Sequence, residues 1–232
     1  MALLAIDTSL TACSAALLPQ GANSPIQRFE PMTRGHAEAI FPMIEAAMAE
    51  AGCGYGDLEK LAVTIGPGSF TGVRAGVAAV RGLALAAKRP AVGGGTLEVM
   101  ARGASRLLPP AMRESGFAVV HDARRDEVYF QQFDAKGAAV AGPQVLSLGE
   151  ALTRLPDNVE LVLGSGAQIL AEAAQRQGRT IRAELAALLP EARDLAMIAR
   201  DLAATGHPPV PLYLRPPDAK PQTDKSVARA NA

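Results

Sequence analysis

Tryptophan is absent from this 232-residue chain, and aromatic residues of any kind make up only 4% of it. Its core must therefore be packed from Ala, Leu, Val and Ile. An apolar content of 49% supplies enough of these for one large domain or two small ones. Cysteine is scarce: Cys13 and Cys53 form no CxxC pair, which excludes a disulfide framework and suits a reducing compartment. The formal net charge is zero, so a broadly basic surface for gripping nucleic acid is not expected, while a local patch stays open. No segment reaches the roughly 18 unbroken apolar residues of a membrane span. The opening MALLAIDTS has no basic region, and its apolar run is too short for a secretory signal. A soluble cytoplasmic protein without a membrane partner is expected. The three histidines, His36, His121 and His207, share no helical turn, and neither HExxH nor HxxxH occurs. Three convergent metal ligands are hard to assemble from them, so no metal site is expected. Ser69 lies in GPGSFTG rather than GxSxG, with no histidine near it in sequence, which argues against a serine hydrolase.

What is present is a plan used twice. Ala2 to Ile6 is a short apolar run ending on Asp7, and a second strand-like run, Ala12 to Leu18, follows a polar turn. Phe117 to His121 ends likewise on Asp122, and the aromatic-rich run Val128 to Phe133 follows it. Later, Leu61 to Ile65 leads into Gly66-Pro67-Gly68, and Leu161 to Leu163 into Gly164-Ser165-Gly166. Helical patterns come next in both, Thr71 to Lys88 and Ala167 to Gln177. The same signals in the same order indicate an internal duplication, with a boundary near Pro109-Pro110. Further helices are expected over Gly35 to Ala51 (bent by Pro42), Thr96 to Leu107, Leu148 to Leu155 and Glu191 to Ala204. Pro211 to Arg215 reads as a short final strand. The Pro-, Lys- and Ala-rich tail from Pro216 lacks apolar periodicity and reads as disordered.

The stretch GPGSFTGVRAG, Gly66 to Gly76, resembles a phosphate cradle, because glycines before a helix leave backbone N–H groups free at its positive end. Yet Val73-Arg74 follow Gly72 where a Walker loop needs Lys and Ser or Thr, and the glycine spacing is not GxGxxG. The helix that follows carries only Arg74, Arg81 and Lys88, seven apart and so on one stripe. The helix before it, with Ile40, Phe41, Met43, Ile44, Ala47 and Met48, is also apolar over much of its surface. Two readings stand side by side: both helices cover their own sheet, or they form a partner interface. Asp7 and Asp122, each at the carboxyl end of a strand, could hold hydrated magnesium and a nucleotide phosphate, or could simply cap their turns. The turn Arg124-Arg125-Asp126-Glu127 reads as solvated.

AIDTS, GPGSFTGVRAGVAAVRGLALA, DARRDEVYFQQF and PLYLRPPDAK stand in one order between Ala2 and Lys220. Together they resemble the TsaB (YeaZ) family, dimerisation subunits of the bacterial machinery that makes threonylcarbamoyladenosine in tRNA. The GPGSFTGVR stretch is the most specific element. The resemblance implies an α/β fold of two ribonuclease H-like lobes of the actin and sugar-kinase (ASKHA) superfamily. Residues 1–108 would form the N-terminal lobe, 109–188 the C-terminal lobe, and 189–215 a helix and strand packing back on the first, before a tail over 216–232.

It also implies a non-catalytic partner of the catalytic paralogue TsaD. This chain would support TsaD in a heterodimer, help dock the ATPase TsaE, pair with itself when alone, and reach tRNA mainly through the complex. The paralogue's HxxxH motif would fall on His36 and Ile40, so its second histidine is missing here. On this reading Ile40, Met43, Ile44, Ala47, Val73, Gly76, Val77 and Val80 are the expected interface residues. Asp7, Gly66, Gly68, Asp122, Gly164 and Gly166 would be a vestigial nucleotide site with weak ATP or ADP and magnesium binding, and no cofactor would be required. The rival reading is a stand-alone ASKHA-type ATPase or phosphotransferase using those same aspartates and glycines.

Overall fold

The computed structural model describes residues 2–215. The strands Ala2–Asp7 (β1), Ala12–Pro19 (β2), Ile26–Pro31 (β3), Leu58–Thr64 (β4) and Ala91–Gly94 (β5) form one sheet in the order β3-β2-β1-β4-β5. β1, β2 and β3 are antiparallel, and β4 and β5 run parallel to β1. Alternation along β1 sends its side chains to two cores. Ala2, Leu4 and Ile6 meet the helices His36–Ala51 (α1) and Phe70–Ala87 (α2). Leu3 and Ala5 meet Ala192–Asp201 (α6) and Val99 of Thr96–Leu107 (α3). Burial on both faces is why β1 reads as a continuous apolar run rather than an alternating one.

The second sheet contains Phe117–Asp122 (β6), Glu127–Phe133 (β7), Gln144–Ser147 (β8), Leu161–Leu163 (β9) and Arg182–Glu184 (β10), ordered β10-β9-β6-β7-β8. Read from its other edge this is the first sheet again, with β6 in the place of β1. The strand directions also match. Leu148–Arg154 (α4) and Ala167–Arg176 (α5) cover one face, as α1 and α2 do in the first lobe. The other face, with Phe117, Val119 and Phe133, packs on Leu97, Met100 and Ala104 of α3. α3 is thus shared: Val99 belongs to the first lobe's core, and its neighbours belong to the second's. The duplicated plan read from the two aspartates and glycine pairs is the plan of the two sheets.

The structure adds strands β3, β5, β8 and β10, none of which the sequence pattern marks. α6 stops at Asp201, short of the expected Ala204. Pro211 to Arg215 is no strand but a strap between the lobes. Leu212 N–H donates to Ile65 O at 2.7 Å on the first lobe. Arg215 Nη1 donates to Ala123 O at 2.8 Å on the second, and the same guanidinium pairs with Glu127. α1 continues through Pro42, which lies on its exposed side. The expected disordered tail from Pro216 lies outside the described residues.

Candidate functional site

The loop after β4 and the turn after β1 are built against each other. Gly66 has φ 115° and precedes a cis peptide bond to Pro67. A Cβ on Gly68 would lie 2.3 Å from Ser9 O, so only glycine lets these backbones meet. The approach is used by hydrogen bonds: Ser69 N–H donates to Ser9 O at 2.7 Å, and Thr8 Oγ1 to Gly72 O at 2.7 Å. Ser69 is the N-cap of α2, its Oγ accepting from Gly72 N–H at 3.3 Å, while Val73 N–H donates to Ser69 O at 2.9 Å. Three donors at this helix start, Ser69, Gly72 and Val73 N–H, therefore have partners within the protein. The glycines serve close packing of the two turns.

Asp7 is fully buried. Its Oδ1 accepts from Ser9 N–H at 3.3 Å, from Ser9 Oγ at 2.7 Å and from Thr64 Oγ1. Its Oδ2 has no partner among the described residues. Burial raises the pKa to about 6, against the opposing pull of the Thr64 and Ser9 hydrogen bonds. This carboxyl locks the β1 turn to β4 and offers no face to a hydrated ion, which corrects the magnesium reading of Asp7. The second lobe repeats the geometry with different chemistry. Gly164 has φ 103°, and a Cβ on Gly166 would meet Val120 Cγ1 at 2.9 Å and Asp122 N at 3.1 Å. Asp122 is exposed and caps its own turn, Oδ1 accepting from Arg124 N–H at 2.7 Å. Beside it His121 Nδ1 lies 2.9 Å from Ser165 Oγ, and burial lowers the imidazole pKa. One aspartate is sealed and the other caps its own turn, and the four glycines among the six nucleotide candidates stand in the turns after β4 and β9. Among the described residues, no three of His, Cys, Asp and Glu gather as a metal site.

The expected interface residues need a larger correction. Ile40, Ile44 and Ala47 on α1, and Val73, Gly76, Val77 and Val80 on α2, all face the lobe's own core, and only Met43 is part exposed. A Cβ on Gly76 would lie 2.4 Å from Thr8 Oγ1, so that glycine serves packing on β1. Ile40, standing where a metal-binding histidine would be, is a core residue. His36 is used to tie α1 to the turn after β1, its Nε2 lying 2.9 Å from Leu10 O. What the helices expose is different and equally apolar. Ala37, Ile40, Phe41, Ala75, Ala78, Ala79, Gly82 and Leu83 line a groove of about 450 Å³ between α1 and α2, so Ile40, of the expected interface residues, also reaches it. Phe41 is 42% exposed, Leu85 beyond the groove is 82% exposed, and a Cβ on Gly82 would meet nothing within 4 Å. Small residues at Ala75, Ala78 and Gly82 allow another helix to come close. α2 is also long and apolar enough to cross a membrane, the one such helix among the described residues. Here its valine face lies on β4. At its start Phe70 packs on Tyr213 of the strap, ring centroids 5.3 Å apart, with Arg74 over the Phe70 ring at 4.9 Å.

A signal for the outward face was present in the sequence. Val73, Val77 and Val80 recur at helical spacing and take the core side, which leaves the alanine and glycine stripe to face out.

Comparison with known proteins places this architecture. Residues 30–207 match the family model described as TsaD, tRNA N6-adenosine threonylcarbamoyltransferase. The chain is 34% identical to the tRNA threonylcarbamoyladenosine biosynthesis protein TsaB of Escherichia coli strain K12, over 93% of this chain and 95% of that protein. It is 42% identical to the TsaB protein of Haemophilus influenzae, over 57% of this chain and 53% of that one. A crystal structure from Pseudomonas aeruginosa, described as similar to peptidase YEAZ, superposes with a TM-score of 0.79 at 32% identity, covering 92% of this chain and 99% of that one.

Proposed function

The chain belongs to the TsaB family of tRNA threonylcarbamoyladenosine biosynthesis proteins, and from that membership we propose that it acts as a non-catalytic partner subunit. Its role is to dock the catalytic paralogue TsaD on the exposed groove of α1 and α2, and to help form the surface that takes the ATPase TsaE. It does so in the cytoplasm, where it reaches tRNA through the complex. The groove carries this reading: an apolar face lined by Phe41 and by small residues, with Gly82 over open space, is the kind of surface that water disfavours and a second helix pair covers. The sealed Asp7 and the buried Ile40 support a non-catalytic role.

The test is light scattering on a sizing column, with the chain alone and then mixed with TsaD from the same cell. The expected result is a self-pair that converts to a one-to-one heterodimer. Gly82→Glu, whose Cβ would meet nothing within 4 Å, is expected to abolish the heterodimer while leaving the melting temperature within a few degrees of wild type. A Gly82→Glu chain that still pairs with undiminished affinity would refute the groove as the docking face. If no complex forms with TsaE, ATP and magnesium also present, the partner role itself is refuted, and nucleotide turnover by the isolated chain becomes the next assay.

A further inference from the structure

On the sheet face opposite the groove, a pocket of about 390 Å³ opens between the lobes. It gathers cations from four separate places: Arg102 and Arg106 on α3, Arg193 on α6, Arg113 before β6, and Lys136 in the turn after β7. This is the local patch that zero net charge leaves room for. The anions there are fewer. Asp194, buried, takes both Arg106 nitrogens, Nε to Oδ1 at 3.2 Å and Nη2 to Oδ2 at 2.9 Å. Glu191 takes Arg106 Nη2 at 2.9 Å and lies 3.3 Å from Arg193 Nε. With both carboxylates counted against five cations, three positive charges remain in excess. Arg102 and Lys136 have no side-chain partner among the described residues. Two more groups in the lining are buried and unpartnered there, Arg113 Nε and Ser105 Oγ, and Arg193 Nε lacks hydrogen-bond geometry to any acceptor. Buried donors without acceptors are costly. A concave site that converges them with unpaired arginine is suited to an anion with several acceptor oxygens.

We propose that this pocket binds a phosphate-bearing ligand, held by Arg102, Arg113, Lys136 and Arg193 with Ser105 Oγ as a further donor, while Asp194 and Glu191 hold Arg106 in place. The same chemistry is offered by RNA backbone phosphates and by a small phosphorylated molecule, and the volume accommodates either a bent strand's phosphates or a nucleotide. The inference goes beyond the partner-subunit reading and does not depend on it, since the pocket lies on the other side of the sheet from the groove.

The test uses the full chain. Inorganic pyrophosphate is titrated by calorimetry, and unfractionated tRNA is bound on filters across a series of salt concentrations. The double variant Arg102→Ala/Lys136→Ala removes two side chains that support nothing else among the described residues. It is expected to weaken pyrophosphate binding about tenfold or more. Where RNA is the source, it should also reduce the salt slope of tRNA binding by about two. Arg102→Lys/Lys136→Arg should restore most of the binding, and Arg81→Ala/Lys88→Ala on α2 should change nothing. Pyrophosphate that competes with tRNA identifies the RNA backbone. Pyrophosphate binding lost in the double variant, with tRNA unaffected, identifies a small ligand. The proposal is overturned if wild type binds neither probe, or if the double variant, shown folded by its circular dichroism, binds both as wild type does. Heterodimer formation by the double variant should be unchanged, so failure here is separable from failure of the docking face.

Discussion

Asp7 should make this protein less stable as the solution becomes more alkaline, and the size of the effect follows from its burial. The carboxyl is sealed, with one oxygen holding Ser9 and Thr64 and the other unpartnered among the described residues. Its pKa is raised from 3.8 to about 6 in the folded chain. The folded state therefore holds a proton that the unfolded state has released. The resulting stabilisation is fully present below about pH 4 and is lost as pH rises through about 6. The interval corresponds to about 3 kcal/mol. Asp7→Asn keeps an acceptor for Ser9 and Thr64 but cannot ionise. It adds a pH-independent offset, because its amide needs an acceptor where Oδ2 stood. The observable is thus the difference between variant and wild type, not either value alone. Urea denaturation at pH 4.5, 5.5, 7 and 8 should show Asp7→Asn gaining on wild type by about 2 kcal/mol across the series, the first ~1 kcal/mol being lost already below pH 4.5. By melting temperature, that is a relative gain of roughly 4–8 °C for a chain of this size. Parallel pH profiles for the two proteins would refute the argument, because they would mean that Asp7 is ionised throughout or titrates alike in both states.

Three further outcomes are expected. Gly82→Ala should raise stability by about 0.5–1 kcal/mol, since it removes a glycine from the interior of α2 and its methyl meets nothing; chemical denaturation reads this, and a loss would mean that the helix is distorted there. Gly68→Ala should cost about 3 kcal/mol by forcing a methyl against Ser9 O, and a melting temperature within a degree or so of wild type would show that the loop can give way. Arg215→Ala should cost about 1–2 kcal/mol by freeing the carbonyls of Ala123 and Arg124. It should also speed amide exchange over residues 123–127, where Arg124, Arg125 and Asp126 all have positive φ; unchanged exchange would mean that the turn holds its left-handed backbone without the strap.

The parts of the fold legible in the sequence are those that burial makes loud. The six strands that show as apolar runs, β1, β2, β4, β6, β7 and β9, are the interior strands of the two sheets. The four that do not, β3, β5, β8 and β10, are the four edges. An edge strand bonds to one neighbour and is half solvated, so a stretch such as Ile26–Pro31 carries no clear period and relies on β2 for its register. The glycine pairs and aspartates were visible as a repeated signal, but their use was not. Whether a helix-start glycine meets a phosphate or the carbonyl of Ser9 depends on a residue some sixty positions away. The two apolar helices were found, but the residues expected on their outward face, Ile40 and Met43 apart, point only into the core. In α2 both sides are apolar, so hydrophobicity alone cannot orient it, and only the size difference between valine and alanine does. The basic pocket was invisible because its five cations come from four places far apart in the sequence.

The matched strand orders of the two lobes invite comparison of their helix pairs. α4 and α5 occupy the place of α1 and α2, yet α5 presents Gln168, Glu172 and Gln175 to solvent, where α2 presents Ala75, Ala78 and Gly82. Only one of the two equivalent faces is therefore apolar. A chain with two such faces could polymerise head to tail, whereas one alone terminates assembly at a pair. If the proposed docking on this face holds, a self-pair and a heteropair that share it would be mutually exclusive. Overproduction of the chain would then sequester it in idle pairs, and the supply of its partner would set how much of it is at work.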